Sequence, residues 1–124
     1  MDYIVVANTE WTYPDRAFSS YLSGSDKLTG ATARNSIVGA QILLQGLPQD
    51  GSLDVALEGL EGEIYGLYPV CVEDNPFLTQ ENAMEHFPER WAPYLIYDCI
   101  KPFNGAVEVT DGVGGLYISL TIGK

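Results

Sequence analysis

Apolar residues alternate with polar or small ones over residues 37–45. Val38, Ala40, Ile42 and Leu44 fall on one side, and Gly39, Gln41 and Gln45 on the other, with Leu43 as the exception. A period of two predicts a strand with one face on a core and the other largely wet. The last run repeats the pattern: Leu116, Ile118, Leu120 and Ile122 face one way, and Tyr117, Ser119 and Thr121 the other. The β-branched run at 3–8 predicts a first strand. Leu53, Val55 and Leu57 alternate against Asp54 and Glu58. Residues 63–74 predict a longer strand, in which Pro69 marks an edge or a bulge. Extended structure resumes at 95–100, and residues 106–124 read as two strands around a glycine-rich turn.

Helical signals are few. Pro14 and Asp15 can start one turn through Arg16, Ala17 and Phe18 before "SGSD" ends it. Thr79 can cap a short helix through Phe87, stopped by Pro88. "PQDG" at 48–51 is a turn. Short strands, turn signals and at most two short helices predict an all-β fold, an antiparallel β-sandwich of immunoglobulin-like or jelly-roll type with long loops. The expected core is Val38, Ala40, Ile42 and Leu44 with Leu116, Ile118, Leu120 and Ile122.

The 124 residues fit a single domain, which at this size needs no disulfide scaffold. Six basic against seventeen acidic residues give a formal charge of −11. That balance excludes nucleic acid and anionic membrane surfaces, whose phosphates require clustered Lys and Arg. A neutral ligand, a cation or a basic protein partner stays open, and an acidic surface also serves solubility. No apolar run approaches a membrane span. The start, "MDYIVVANTEW", does not read as a signal peptide, for it lacks a basic n-region and a cleavage site. Cys71 and Cys99 lack metal-type spacing and read as buried free thiols, with a disulfide as the second reading.

Catalytic signals are missing. The chain has one histidine, His86, in an acidic segment, and no motif of a hydrolase, a nucleotide loop or a metalloprotease. "DGVGG" at 111–115 has the glycines of a phosphate loop, but Asp111 would repel phosphate, so it reads as a hairpin turn. No cofactor is expected. Glu73, Asp74 and Asn75 bring three oxygen-bearing side chains together and can contribute to a calcium site, although their spacing is not that of an EF-hand and such residues before Pro76 also form plain turns. The aromatic residues carry more. Trp11 and Tyr13 lie in the first long loop, and Trp91, Tyr94 and Tyr97 in or after the second. A ring packs on the C–H face of a neutral sugar while nearby amides and carboxylates bond its hydroxyls. The same rings can instead pin the loops to the sheet. The candidate ligand-contacting residues are Trp11, Tyr13, Trp91, Tyr94 and Asp98.

"TGATARNSIVGAQILLQG" at 29–46 resembles a segment in the N-terminal β-sandwich domains of glycoside hydrolases of the β-N-acetylgalactosaminidase type and their relatives of unassigned function. Ala33, Arg34, Asn35 and Gln41 match, while Ser36 stands where that family usually has Glu. "LYPVCVEDNP", "WAPYLIYDCIKPF" and "GGLYISLTIGK" agree in order with later segments of the same domain. The resemblance implies a noncatalytic, carbohydrate-associated β-sandwich, a sugar-binding module or a spacer, of an extracellular or cell-surface bacterial protein that degrades polysaccharide. It gives no catalytic residue, because in that family the catalytic carboxylates belong to a barrel. The alternative is a protein-interaction or adhesion module of an exported protein. Arg34 is expected to anchor a loop, with Asp98 as its partner. In the family a further strand follows the segment resembling 116–122. A fragment with an unpaired edge there is therefore expected, open to dimerisation or to another domain unless residues 79–93 cover it.

Overall fold

The computed structural model describes residues 1–28, 36–73 and 92–122. Five strands account for its regular structure: β1 (Asp2–Ala7), β2 (Ser36–Gln45), β3 (Glu61–Val72), β4 (Tyr94–Pro102) and β5 (Val113–Ile122). They form one open antiparallel sheet in the order β1-β2-β5-β3-β4. The fold is all-β, and among the described residues the strands build this single sheet. The only helical element described is a 3₁₀ turn, Phe18–Ser20, close to the turn expected after Pro14. The helix expected at 79–87 lies outside the described residues, as do Arg34, Asp74, Asn75, His86 and Trp91.

Register fixes the two faces. Ala40, Ile42 and Leu44 stand opposite Ile118, Leu116 and Gly114, and Ile64 stands opposite Ile118. Leu47, Leu53, Val55 and Leu57 from the β2–β3 connection cover this face together with Phe103, Val107 and Val109 from the β4–β5 connection. The two connections run extended across it. They meet at one bridge, Ser52 with Ala106, where Leu53 N donates to Gly105 O and Val107 N to Gly51 O, each at 3.0 Å. Residues 53–57 and 106–109, expected as strands, are therefore extended segments without a ladder. Of the expected core, Ala40, Leu44, Leu116 and Ile118 are buried, and Val38, Ile42, Leu120 and Ile122 half-buried.

The face expected to be wet is also packed. Leu43 is 0% exposed and joins Val6, Tyr21, Leu67 and Tyr97 in a second buried cluster. Val6 of β1 and Tyr97 of β4 both belong to this cluster, with Tyr21 from the first connection. Residues 8–28 thus lie over this face and bond to both outer strands, Ser25 to Val5 of β1 and Thr12 to Tyr97 of β4. At the central strand, Gly114 and Gly115 admit the two layers. A Cβ on Gly114 would lie 2.7 Å from Leu47, and one on Gly115 2.8 Å from Leu67.

The expectation of an unpaired edge at 116–122 is corrected. β5 is the central strand, bonded to β2 along its length and to β3 from Gly115 to Thr121. Alternation reports which face a residue occupies and is silent on how many neighbours its strand has. The true edges are β1 and β4, and both are guarded. Val5 exchanges hydrogen bonds with Ser25 (2.7 and 3.0 Å), and Ala7 N donates to Ser23 Oγ at 3.0 Å. On β4, Tyr97 N donates to Thr12 O at 3.0 Å, and Pro102 ends the strand.

The cysteine reading also changes. Both thiols are free, but Cys71 is exposed and Cys99 half-buried. Cys71 stands opposite Leu95 and Cys99 opposite Tyr68, so the register keeps them apart. Past Leu67, β3 has left β5 and pairs with β4 alone, which leaves Cys71 little cover.

The turns follow the sequence. Gly51 N donates to Pro48 O at 2.9 Å, and Asp50 Oδ1 accepts from Ser52 N (3.0 Å) and Ser52 Oγ (2.9 Å). Asp111 and Gly112 both take positive φ, 51° and 79°, between the mutually bonded Thr110 and Val113. That is the type I′ hairpin turn which Asp-Gly favours.

Candidate functional site

The first connection is built around two polar anchors. Gln41 of β2 is buried at 6% exposure. Its Nε2 donates to Ala7 O (3.0 Å) and Glu10 O (2.8 Å), and its Oε1 accepts from Thr12 Oγ1 (2.6 Å). A buried carboxamide with these bonds satisfied holds residues 7–12 against the sheet. Glu10 ties the other end of the connection: its carboxylate accepts from Leu22 N (3.0 Å), Ser23 N (2.8 Å) and Ser23 Oγ (2.5 Å). Trp11 lies between these anchors and is nonetheless 50% exposed. The backbone around it is fixed while the indole is left in water.

The β-bulge expected at Pro69 is present, and it shapes the opposite wall. Tyr68 stands opposite Cys99, and Pro69 opposite Tyr97. Asp98 is therefore the extra residue of the pair. In a regular strand Tyr97 and Asp98 would point to opposite faces, whereas a bulge re-aims one of them. Both line the same recess of about 360 Å³, with Asn8, Trp11 and Tyr117. A second recess, of about 320 Å³, is lined by Trp11, Tyr13, Tyr94, Ile96 and Asp98. Trp11 and Asp98 belong to both, so the two recesses form one groove between the first connection and β4.

Four of the five residues singled out from the sequence, Trp11, Tyr13, Tyr94 and Asp98, thus meet in one recess; Trp91 lies outside the described residues. Their roles differ. Tyr13 is 3% exposed and packs edge-on against Tyr94, with centroids 5.8 Å apart and planes at 69°. Its backbone N donates to Tyr21 Oη and its carbonyl accepts from the same hydroxyl, each at 3.0 Å. The Arg16 guanidinium lies 4.7 Å over the Tyr21 ring. Tyr13 is a loop pin that also walls the groove. Trp11 and Asp98 are exposed. Among the described residues, no hydrogen bond or ion pair engages the side chains of Asn8, Trp11 or Asp98. Sequence reasoning missed Asn8, Gln41 and Tyr117 as parts of the site. Leu43, apolar on a face read as wet, was the sign that something covers it.

Burial pushes the Glu10 carboxyl up, but the Ser23 hydroxyl, the Ser23 and Leu22 amides and the Arg16 charge pull it down, and the net is below its ordinary value of 4.5. A lowered folded pKa adds stability above that ordinary value and loses it as pH falls through the folded one. Unfolding followed from pH 7 to 3 should show stability falling below about pH 4.5, and Glu10→Gln should flatten that limb. An unchanged limb would show that Glu10 carries none of it.

Tyr97 adds a second test. Its hydroxyl is buried and has no hydrogen-bond partner among the described residues, so the ring and not the hydroxyl meets the recess. Burial, with Tyr21 and Glu108 nearby, pushes this phenol above its usual range. Tyr97→Phe removes an unsatisfied polar atom and should leave stability unchanged or raise it by up to about 1 kcal/mol. A loss of that size in chemical denaturation would reveal a bonded hydroxyl.

Glu73 is exposed just past the end of β3. Among the described residues no group of three His, Cys, Asp or Glu side chains is placed to hold a metal ion. No family model, curated protein or solved structure matches the chain.

Proposed function

We propose that this chain is a noncatalytic carbohydrate-binding β module whose site is the groove at Trp11 and Asp98. The observation that carries the reading is the half-exposed indole, held on an anchored backbone beside an unengaged carboxylate and an unengaged carboxamide. An aromatic platform with few polar groups is what a sugar ring requires, since one face is C–H and the rim is hydroxyl. The resemblance to accessory domains of glycoside hydrolases supports the same reading. With it go an extracellular setting, a polysaccharide-degrading bacterial parent and a sandwich-like layering, in which residues 47–57 and 103–109 take the place of a second sheet. The guarded edges of β1 and β4 weigh against strand addition, one route of the protein-interaction alternative; its other route is the acidic face.

An open groove of this size binds weakly, with dissociation constants of about 0.1–1 mM, once ordering costs are met. A glycan panel should return at least one neutral sugar. Trp11→Ala should weaken its binding at least about tenfold, with little change in melting, because the ring adds contact to ligand and little to the core. Silence across the panel, with a protein partner recovered by pull-down, would favour the interaction module.

A further inference from the structure

We infer that the groove takes a neutral oligosaccharide of at least two residues that straddles Trp11, and not a single sugar. The inference rests on the carbohydrate reading above and goes on to the ligand's length and charge. Three observations carry it. The two recesses are of similar volume, about 360 and 320 Å³, and they share Trp11 and Asp98. Each has its own aromatic wall, Tyr117 in one and the Tyr13–Tyr94 pair in the other. The indole therefore stands at a junction, where it can support one ring and abut the next.

Charge narrows the ligand. Among the described residues, neither recess is lined by a Lys or Arg, while Asp98 lines both and Glu10 lines the larger. Glu10 is already engaged by Leu22 and Ser23. The Asp98 carboxylate offers acceptors, and Asn8 offers both donors and acceptors. That set suits adjacent hydroxyls. It repels a carboxylate or a sulfate, and the net charge of −11 adds to the repulsion. The two recesses also differ in polarity: Asn8 lines only the larger one. Its loss should remove one subsite and spare the other.

Calorimetric titration of the full chain with mono-, di- and trisaccharides tests this. The probes are glucose, cellobiose and cellotriose; N-acetylglucosamine and its β-1,4 dimer and trimer; galactose and its β-1,4 dimer and trimer; and trigalacturonic acid. In the series that binds, the disaccharide should exceed the monosaccharide about tenfold in affinity, as a second ring contact requires. Trigalacturonic acid should bind at least about tenfold more weakly than the best neutral trisaccharide. Asn8→Ala should cut the gain from chain length to about threefold or less, and Trp11→Ala should weaken every length. Equal affinity for mono- and trisaccharide, or preference for the uronic acid, overturns the inference while leaving a sugar-binding groove. Failure of every neutral sugar at every length overturns the underlying reading as well.

Discussion

Gln41→Leu is expected to lower the unfolding free energy by about 3 kcal/mol. Gln41 satisfies three groups at once, the Ala7 and Glu10 carbonyls and the Thr12 hydroxyl. Leucine has similar bulk and fills the space, so the loss is one of hydrogen bonding and not of packing. An unsatisfied buried polar group costs about 1–3 kcal/mol, and part of that is recovered where the freed carbonyls reach water. The consequence extends to the groove, since Trp11 lies between residues that Gln41 holds. Urea denaturation should show a lower midpoint at unchanged slope, and the fluorescence of Trp11 should shift toward that of free indole in water. A midpoint change worth less than about 0.5 kcal/mol, the range of ordinary surface substitutions, would mean that the first connection does not depend on this anchor.

Gly51→Ala is expected to cost about 2–4 kcal/mol, of which roughly 1–2 comes from the left-handed backbone and the rest from overpacking. Gly51 has φ +68°, and a Cβ there would sit 1.9 Å from Val107 O. That oxygen is backbone, in the segment that receives Gly51 where the two extended connections meet, so no side-chain rotation relieves the clash. Gly59 is the internal control: its φ is +77° with nothing within 4 Å. Gly59→Ala should carry only the backbone share, about 1–2 kcal/mol. Thermal or chemical denaturation of the pair separates the two contributions. Equal losses would show that the approach of residues 51 and 107 is not a tight contact.

Much of the sheet was legible in the sequence, for reasons visible in particular residues. β5, and β2 apart from Leu43, alternate because one face of each lies on a well-filled layer, and their register places Ile42 opposite Leu116. Pro69 could not continue a regular ladder, and the shift in pairing falls there. "PQDG" and "TDGV" are turns because Asp and Gly supply the side-chain bond and the positive φ. What escaped has a common physical cause. Alternation records burial of a face, and burial does not require a ladder. Leu53, Val55 and Leu57 alternate because they lie across a sheet, with one bridge instead of a strand partner. The wet face was inferred from Gly39, Gln41 and Gln45, but a buried glutamine with every bond satisfied looks the same in sequence as an exposed one.

The groove was half legible. Loop aromatics near Asn and Asp led to Trp11, Tyr13, Tyr94 and Asp98, which share a recess. That Asp98 faces the same recess as Tyr97 depends on the bulge, and the residue opposite Pro69 is set by pairing across strands, which no local pattern encodes. Tyr117 was placed on the solvent side of the last strand. It lines the groove because β5 is central and its second face looks toward the first connection.

The most direct test of the carbohydrate reading is a proton–nitrogen correlation spectrum of the labelled chain titrated with the neutral oligosaccharide that the panel returns. The account predicts saturable shifts of the Trp11 indole N–H, assigned by its loss in Trp11→Phe, and of the amides of Asn8, Tyr97 and Asp98, with the far end of the sheet around Glu61 and Thr121 unmoved. Shifts that cluster around Glu61 and Thr121 while Trp11 and Asp98 stay fixed, or a Trp11 signal that no neutral glycan moves, would contradict it.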